Sequence, residues 1–103
     1  MDREAVIEKL KKYSELVITV VAPNKIVLFG SYAKGNWTEN SDIDVAIFVN
    51  KITDDFLQLS AKLTKLTRNI DYRIEPILLE ENNDKSGFIS DINKHGIIVY
   101  QKN

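Results

Sequence analysis

Asp42 and Asp44 are separated by one residue at the start of an apolar run, which makes them the first candidates for chemistry in this chain. Successive side chains of a strand point to opposite faces, so both carboxylates would share one face and Ile43 would occupy the other. Carboxylates that close repel each other and make ionisation more costly. A hard cation such as Mg²⁺ offsets this cost, because it binds one or two carboxylates together with phosphate oxygens. The pair therefore predicts a metal site, although two solvated side chains would give the same pattern.

A second candidate motif, Gly30-Ser31, directly follows the apolar run KIVLF, and ten residues separate Ser31 from Asp42. Glycine allows the backbone to approach a ligand closely and to adopt uncommon dihedral angles. The start of a helix presents unpaired N–H groups to a phosphate, and the Ser31 hydroxyl adds a donor. A Gly-Ser turn between strand and helix is also common in α/β proteins. The motif therefore indicates a phosphate site only in combination with the acids that follow it.

The elements that must position these residues are predicted from apolar spacing and turn residues. Helical spacing of apolar side chains predicts a first helix from Asp2 to about Leu16, and Pro76 indicates either a sheet edge or a strand end in the third strand. The other predicted elements are strand Lys25–Phe29, short helix Ser31–Lys34 ended by Gly35, polar loop Asn36–Ser41, strand Asp42–Val49, a helix capped by Thr53 that buries Phe56, Leu59, Leu63 and Leu66, strand Asn69–Leu79, loop Glu80–Lys85, a helix through Phe88, Ile89 and Ile92 ended by Gly96, and strand Ile97–Tyr100. This order predicts an α/β (α+β) fold, a sheet with helices on at least one face.

Composition restricts the class of protein further. The 103 residues fit a single domain over positions 1–103, and the absence of cysteine excludes disulfides and thiolate metal sites. A net charge of −1 with scattered Lys and Arg gives no strong nucleic-acid signal, because duplex binders usually carry a basic stripe. The N-terminus does not read as a signal peptide, and no apolar run approaches the ~20 residues that span a bilayer. We therefore expect a cytoplasmic protein with no membrane segment.

The joint pattern of the two motifs resembles a known signature. Phe29-Gly30-Ser31, Gly35 and Ser41-Asp42-Ile43-Asp44-Val45 look like the signature of the polymerase-beta-like nucleotidyltransferase superfamily. More narrowly, the chain is similar to the minimal nucleotidyltransferases, which are short stand-alone domains of prokaryotes. The resemblance covers roughly residues 25–75 and implies a nucleotidyltransferase-like mixed sheet of three or four strands flanked by helices.

This resemblance implies a mechanism. Asp42 and Asp44 would hold Mg²⁺, in a two-ion site, against the triphosphate of an NTP such as ATP. Gly30, Ser31 and Ser41 belong to the motif that would bind the nucleotide, with the Gly30-Ser31 turn on the β- and γ-phosphates. A hydroxyl would attack the α-phosphorus in line, NMP would pass to that acceptor, and pyrophosphate would leave.

The family also uses a third carboxylate on the next strand, and two residues qualify. In a strand through Ile70–Glu75, Asp71, Arg73 and Glu75 would share one face. We favour Asp71 as the third metal ligand or catalytic base, with Glu75 close behind, and both side chains would line the site. Pairing with Arg73 at the surface is the alternative for whichever acid is not used.

The resemblance, together with the small surface of a short chain, leads to expectations about partners. Minimal nucleotidyltransferases often pair with a small helical HEPN-type protein, so an antitoxin-like role in a toxin–antitoxin pair is a second reading. A nucleotide-binding module without turnover is a third. The short chain offers little surface for recognising an acceptor, so a HEPN-type partner or a homodimer would supply it. His95, next to Gly96, reads as a helix-end residue and not as a catalyst.

Overall fold

The computed structural model describes residues 2–84 and 86–103, and a mixed four-stranded sheet forms its centre. The strands are ordered β3-β2-β1-β4, and the elements are α1 (Arg3–Val17), β1 (Lys25–Phe29), α2 (Ser31–Lys34), β2 (Ile43–Val49), α3 (Phe56–Leu66), a 3₁₀ turn (Thr67–Asn69), β3 (Ile74–Glu80), α4 (Phe88–His95) and β4 (Ile97–Gln101). The predicted fold class and sheet size are confirmed.

Strand direction follows from the connections. β1 pairs antiparallel with both β2 and β4, whereas β2 and β3 are parallel. A parallel pair requires a crossover, and α3 supplies it between β2 and β3. The parallel pairing brings the first residues of β2 and β3 to the same end of the sheet.

Each face of the sheet is covered by helices with apolar sides. One face packs against α1 and α3, and its core includes Leu10, Tyr13, Val45 and Leu63. The Tyr13 hydroxyl donates a 2.7 Å hydrogen bond to the carbonyl of Leu63, which joins α1 to α3 and satisfies a buried polar group. The other face packs against α4, with a smaller core of Val27, Ala46, Phe48, Ile89 and Ile92.

Helix starts follow capping chemistry, with one correction to the sequence prediction. Asp2 caps α1 by accepting a hydrogen bond from the backbone N–H of Ala5. The predicted cap of α3, Thr53, is wrong, because Asp55 accepts hydrogen bonds from the N–H groups of Leu57 and Gln58. Since α3 therefore begins two residues later than a Thr53 cap implies, Phe56 is half exposed and contributes little to the core.

The third strand is shorter than predicted. It begins at Ile74, and the residues before it form a 3₁₀ helix over Thr67–Asn69 and then a turn up to residue 73. Pro76 lies on this strand at the sheet edge, as predicted, where a missing N–H costs no ladder hydrogen bond. Of the predicted loop over Glu80–Lys85, the last residue lies outside the described part of the chain. Among the described residues, no helix combines the length and apolarity that crossing a membrane requires.

Candidate active site

The turn after β1 places glycine backbone directly against an acid. Gly30 has φ 73° and ψ −150°, a conformation essentially restricted to glycine, and α2 starts at the next residue. A Cβ on Gly30 would collide with the Oδ2 atom of Asp44. No side chain caps α2, so its first N–H groups lack a side-chain partner. The half-buried Ser31 adds its hydroxyl there, and Gly35 ends α2 in the left-handed conformation, as predicted.

Asp44 lies at the centre of a row of side chains across three strands. Its Cα is paired with that of Phe29 on β1 and with that of Glu75 on β3. Residues opposite each other on neighbouring strands point to the same face, about 5 Å apart. Asp44 therefore has the Gly30 turn on one side of its strand and the Glu75 carboxylate on the other.

The carboxylate of Asp44 is electrostatically costly in the described structure. Burial raises the pKa of Asp44, and the negative charges of Glu75 and Asp42 raise it further. Within residues 2–84 and 86–103, no hydrogen bond or ion pair offsets the charge of these three acids. An unpaired, partly buried carboxylate is destabilising, so Asp44 with two exposed acids beside it indicates a cation or another positive group as its partner.

Asp42 lies at the end of a loop that is closed by short hydrogen bonds. It is exposed and directly precedes β2. The hydroxyl of Ser41 accepts a 2.8 Å hydrogen bond from the N–H of Thr38. On the other side of Asp42, the N–H of Ile43 donates to the carbonyl of Arg73 at 2.9 Å. Ser41 thus shapes the loop that presents Asp42, and its hydroxyl is already engaged with Thr38.

Asp71 lies in a different environment from Glu75. Its carboxylate accepts hydrogen bonds from Lys9 at 2.9 Å and from Arg73 Nη2 at 2.8 Å and Nε at 3.1 Å, and its side chain is 7% exposed. The Arg73 side chain is the largest of the influences that lower the pKa of Asp71, and Lys9 adds to it against the opposing effect of burial. The predicted strand face shared by Asp71, Arg73 and Glu75 is wrong, because Asp71 lies in the segment before β3. The structure places Glu75 beside Asp44, and it pairs Asp71 with α1.

The acids are suited to a metal ion whose coordination is completed by the substrate. In the described part of the chain, no three acidic or histidine side chains already converge closely enough to hold an ion by themselves. Mg²⁺ is typically bound by one or two carboxylates plus substrate phosphates and water, and not by a closed protein cage. Oxygen donors on Asp42 and Asp44, with Glu75 adjacent and glycine backbone opposite, fit that pattern.

Two further contacts that sequence reasoning missed hold α2 in place. Arg3 Nη1 lies 3.3 Å from each of the carbonyl oxygens of Tyr32 and Ala33, and its guanidinium lies 5.9 Å from the centre of the Trp37 ring. Tyr32 and Trp37 stack with ring centroids 5.3 Å apart. Trp37 thus packs the loop against α2 through Tyr32. A contact between positions 3 and 33 leaves no local signal in the sequence.

Two other charged side chains lie at helix ends. Lys34 is exposed at the end of α2, and His95 is the last residue of α4, with its Nε2 3.9 Å from Asp91. A cavity of about 420 Å³ is lined by apolar residues such as Val20, Ile52 and Leu59 and by polar ones such as Asn50 and Thr53. It opens at the far end of β2, next to Val49, so it does not contain the acids. A smaller one of about 360 Å³ is lined in part by Glu75.

The glycine turn at Gly30, the two acids at the start of β2 and Glu75 beside Asp44 form the candidate site. Residues 4–103 match the family described as Polymerase beta, Nucleotidyltransferase, and the chain belongs to that family. It is therefore an enzyme of the nucleotidyl-transfer class.

Relatives and solved structures agree with this assignment. The chain is 30% identical over 100 residues to a protein of Methanocaldococcus jannaschii named as a candidate protein adenylyltransferase, and the match covers 91% of this chain and 98% of the relative. A second such protein of the same archaeon is 51% identical over 39 residues, which cover 38% of this chain and 39% of the relative.

Two solved structures share the fold. A crystal structure from Sulfolobus solfataricus described as a candidate nucleotidyltransferase has a TM-score of 0.68 at 19% identity, covering 97% of this chain and 84% of the other. A crystal structure of a toxin–antitoxin with AMP-PNP has a TM-score of 0.63 at 21% identity, covering 100% and 76%.

Proposed function

We propose that this chain transfers AMP from ATP to a hydroxyl group on a protein, with Mg²⁺ as the cofactor. The observation that carries the proposal is the position of Asp44, between a glycine turn that a Cβ would block and a second carboxylate, Glu75. The use of ATP and of a protein acceptor is supported by two archaeal relatives named as candidate protein adenylyltransferases.

Each residue of the site has a role that follows from its position. The backbone of Gly30 and the first N–H groups of α2, with the Ser31 hydroxyl, bind the β- and γ-phosphates. Asp42 and Asp44 are the metal ligands, and Ser41 holds the loop that carries Asp42. When bound, Mg²⁺ would neutralise charge on the triphosphate and on the departing pyrophosphate.

Glu75 is our candidate for the third acid, in place of Asp71. Glu75 is exposed and shares the row of Asp44, so an incoming hydroxyl can reach it and give up its proton to it. Asp71 is a poor base and a poor metal ligand here, because Lys9 and Arg73 already neutralise it. The acceptor hydroxyl and the departing pyrophosphate would thus lie on opposite sides of β2.

A second role, as the antitoxin member of a pair with a HEPN-type protein, is compatible with the same chemistry. It is supported by a neighbour in fold that was solved as a toxin–antitoxin with AMP-PNP. In that role the partner, or a second copy of this chain, supplies the acceptor surface.

The test is a titration of the protein with ATP, with and without Mg²⁺. We expect Mg²⁺-dependent binding that Asp42→Asn/Asp44→Asn loses, because that variant lacks both metal-ligand charges. Glu15→Gln/Asp54→Asn, which removes two exposed acids outside the acid row, is the matched control and should bind as wild type does. Unchanged binding by the Asp42/Asp44 variant would refute the site. Binding without pyrophosphate release on any acceptor would favour a nucleotide-binding module.

A further inference from the structure

The phosphate half and the metal half of the proposed site lie on different elements. Gly30 belongs to the turn that precedes α2, whereas Asp42 follows a loop over residues 36–41. α2 has only four residues, and helices shorter than about 12 residues are marginal in water on their own. The position of α2 relative to the loop must therefore come from contacts with the rest of the chain.

Arg3, the first residue of α1, supplies the polar part of those contacts. Its Nη1 atom lies 3.3 Å from the carbonyl oxygens of both Tyr32 and Ala33 and donates to them. These carbonyls lie at the C-terminal end of α2, where a helix has no partners of its own for them and where positive charge is favourable. The buried Tyr32 hydroxyl has no hydrogen-bond partner in the described part of the chain, so the Tyr32 side chain anchors α2 only by packing.

The guanidinium of Arg3 also reaches the loop. It lies 5.9 Å from the centre of the Trp37 ring, within the range of a cation–π contact. The Trp37 ring stacks on the ring of Tyr32, with centroids 5.3 Å apart and 15° between the ring planes. One cation therefore contacts the backbone of α2 and the aromatic side chain that packs the loop against α2.

The loop passes this restraint on to Asp42. Trp37 is followed by Thr38, whose N–H donates a 2.8 Å hydrogen bond to the Ser41 hydroxyl and whose carbonyl accepts the Ser41 N–H at 3.1 Å. Ser41 directly precedes Asp42. Through two backbone carbonyls and one stacked ring, the Arg3 side chain is thus connected to both halves of the site.

We propose that Arg3 is a positioning residue for nucleotide binding, which fixes the turn at Gly30 relative to the metal ligand Asp42. Arg3 is itself held in place, because Asp2 caps the first turn of α1 by accepting the N–H of Ala5 at 2.8 Å. Arg3 acts through α2 and the loop, and not by contact with the nucleotide. This inference rests on the proposed function, whose ATP and Mg²⁺ it uses.

Calorimetric titration with ATP and Mg²⁺ tests the inference on two single variants. We expect Arg3→Gln to bind ATP about tenfold more weakly than wild type, the factor that one charge-assisted hydrogen bond is worth. Trp37→Leu removes the stacked ring and keeps the Arg3 charge, and it should also weaken binding. The double variant should lose less than the two single losses combined, because both act on one connected set of contacts. Lys12→Gln, which removes an exposed cation of α1, is the matched control and should bind as wild type does.

Fluorescence provides a readout that does not depend on ATP. Trp37 is the single tryptophan of the chain, so its emission reports on the contact with Arg3 alone. We expect the emission of Arg3→Gln to shift to longer wavelength, as the ring becomes more exposed to water, and that of Lys12→Gln to stay unchanged. Thermal unfolding of each variant shows that these measurements are made on folded protein, and Trp37→Leu carries the binding test if Arg3→Gln does not fold.

Three results would overturn the inference, and they differ from failure of the proposed function. Arg3→Gln that binds ATP as tightly as wild type would eliminate the positioning role and leave the nucleotide site standing. Weaker binding by Arg3→Gln together with full binding by Trp37→Leu would mean that Arg3 contacts the phosphates directly. Unchanged Trp37 emission in folded Arg3→Gln would contradict the contact itself. Absence of Mg²⁺-dependent ATP binding by wild type would instead remove the proposed function, and the inference with it.

Discussion

At the scale of single residues, Gly30 and Asp44 restrict each other's position. Gly30 has φ 73° and ψ −150°, a conformation that glycine adopts and other residues essentially do not. The Asp44 carboxylate fills the space that a Cβ at this position would need. Asp44 in turn is held on a buried strand whose next residues, Val45 and Ala46, have no exposed surface. Neither residue can move far, so the distance between glycine backbone and acid is fixed before any ligand binds.

We therefore expect Gly30→Ala to eliminate Mg²⁺-dependent ATP binding. Backbone strain costs about 1–3 kcal/mol at such a position, and the new methyl group must also displace Asp44. Gly35→Ala is the matched control, because Gly35 has φ 86° but open space around its missing Cβ. It should lose about 1–2 kcal/mol of stability from strain and keep ATP binding. Calorimetry for binding and thermal unfolding for stability separate the two effects, and equal binding by both variants would contradict the close contact.

At the scale of elements, the position where β3 begins decides which acid joins the site. The sequence Ile70–Glu75 alternates as a strand would, and this pattern predicts Asp71 and Glu75 on one face. In the structure, the chain bends at Asp71, whose N–H donates to the Thr67 carbonyl at 2.8 Å, and pairing with β2 starts only at Ile74. The charges that bind Asp71 come from Arg73 and from Lys9, 62 positions away. Local alternation carries no information on such a contact.

Other elements were predictable because local chemistry determines them. Apolar runs predicted β1 and β2, and their antiparallel pairing places the glycine turn next to Asp44. Gly35 and Gly96 end helices as expected. At Thr53 the prediction failed because Asp55, two residues later, makes the capping hydrogen bonds. At residues 69–73 it failed because Lys9 and Arg73 hold Asp71 outside the strand.

Asp71→Asn should therefore lower stability and keep turnover, whereas Glu75→Gln should lower turnover and keep stability. Asp71→Asn removes charge-assisted hydrogen bonds and should lower the free energy of unfolding by about 1.5–3 kcal/mol, with turnover per folded molecule retained. Glu75→Gln alters an exposed side chain and should change stability by under about 0.5 kcal/mol, while turnover falls on the order of 10²–10⁴-fold if Glu75 is the base. Chemical denaturation and pyrophosphate release measure the two quantities. Turnover lost only in Asp71→Asn would restore Asp71 as the third acid.

The stability difference should also depend on pH in a defined direction. Because the Arg73 and Lys9 contacts lower the pKa of Asp71 in the folded state, the folded protein binds fewer protons there than the unfolded chain does. The stabilisation is complete above the ordinary carboxyl pKa of about 4 and is lost as the pH falls through the lowered folded-state pKa. Wild type and Asp71→Asn should thus converge in stability in acid. Asp91→Asn, which affects an exposed pair with His95, should show no such convergence.

At the scale of the whole molecule, packing and chemistry are concentrated at different ends of β2. Ala46, Ile47 and Phe48 in the middle of β2 are fully buried between the two helical layers, whereas Asp42 and Asp44 mark its open end. The rigid part of the strand therefore supports an end where three acids lie with no cationic partner among the described residues. Such an arrangement costs stability in the free protein and is useful only when a positive ligand binds.

Asp44→Asn should consequently raise the stability of the free protein while removing Mg²⁺-dependent ATP binding. Asparagine keeps the size of the side chain and eliminates a charge that burial, Glu75 and Asp42 all disfavour. Each 1 kcal/mol gained would raise the unfolding temperature by about 4–8 °C in a domain of this size. In the presence of Mg²⁺ and ATP the order should reverse, because ligand stabilises only the form that binds it. Thermal unfolding with and without Mg²⁺ and ATP measures both. A variant less stable than wild type without ligand would mean that Asp44 serves packing and not a ligand.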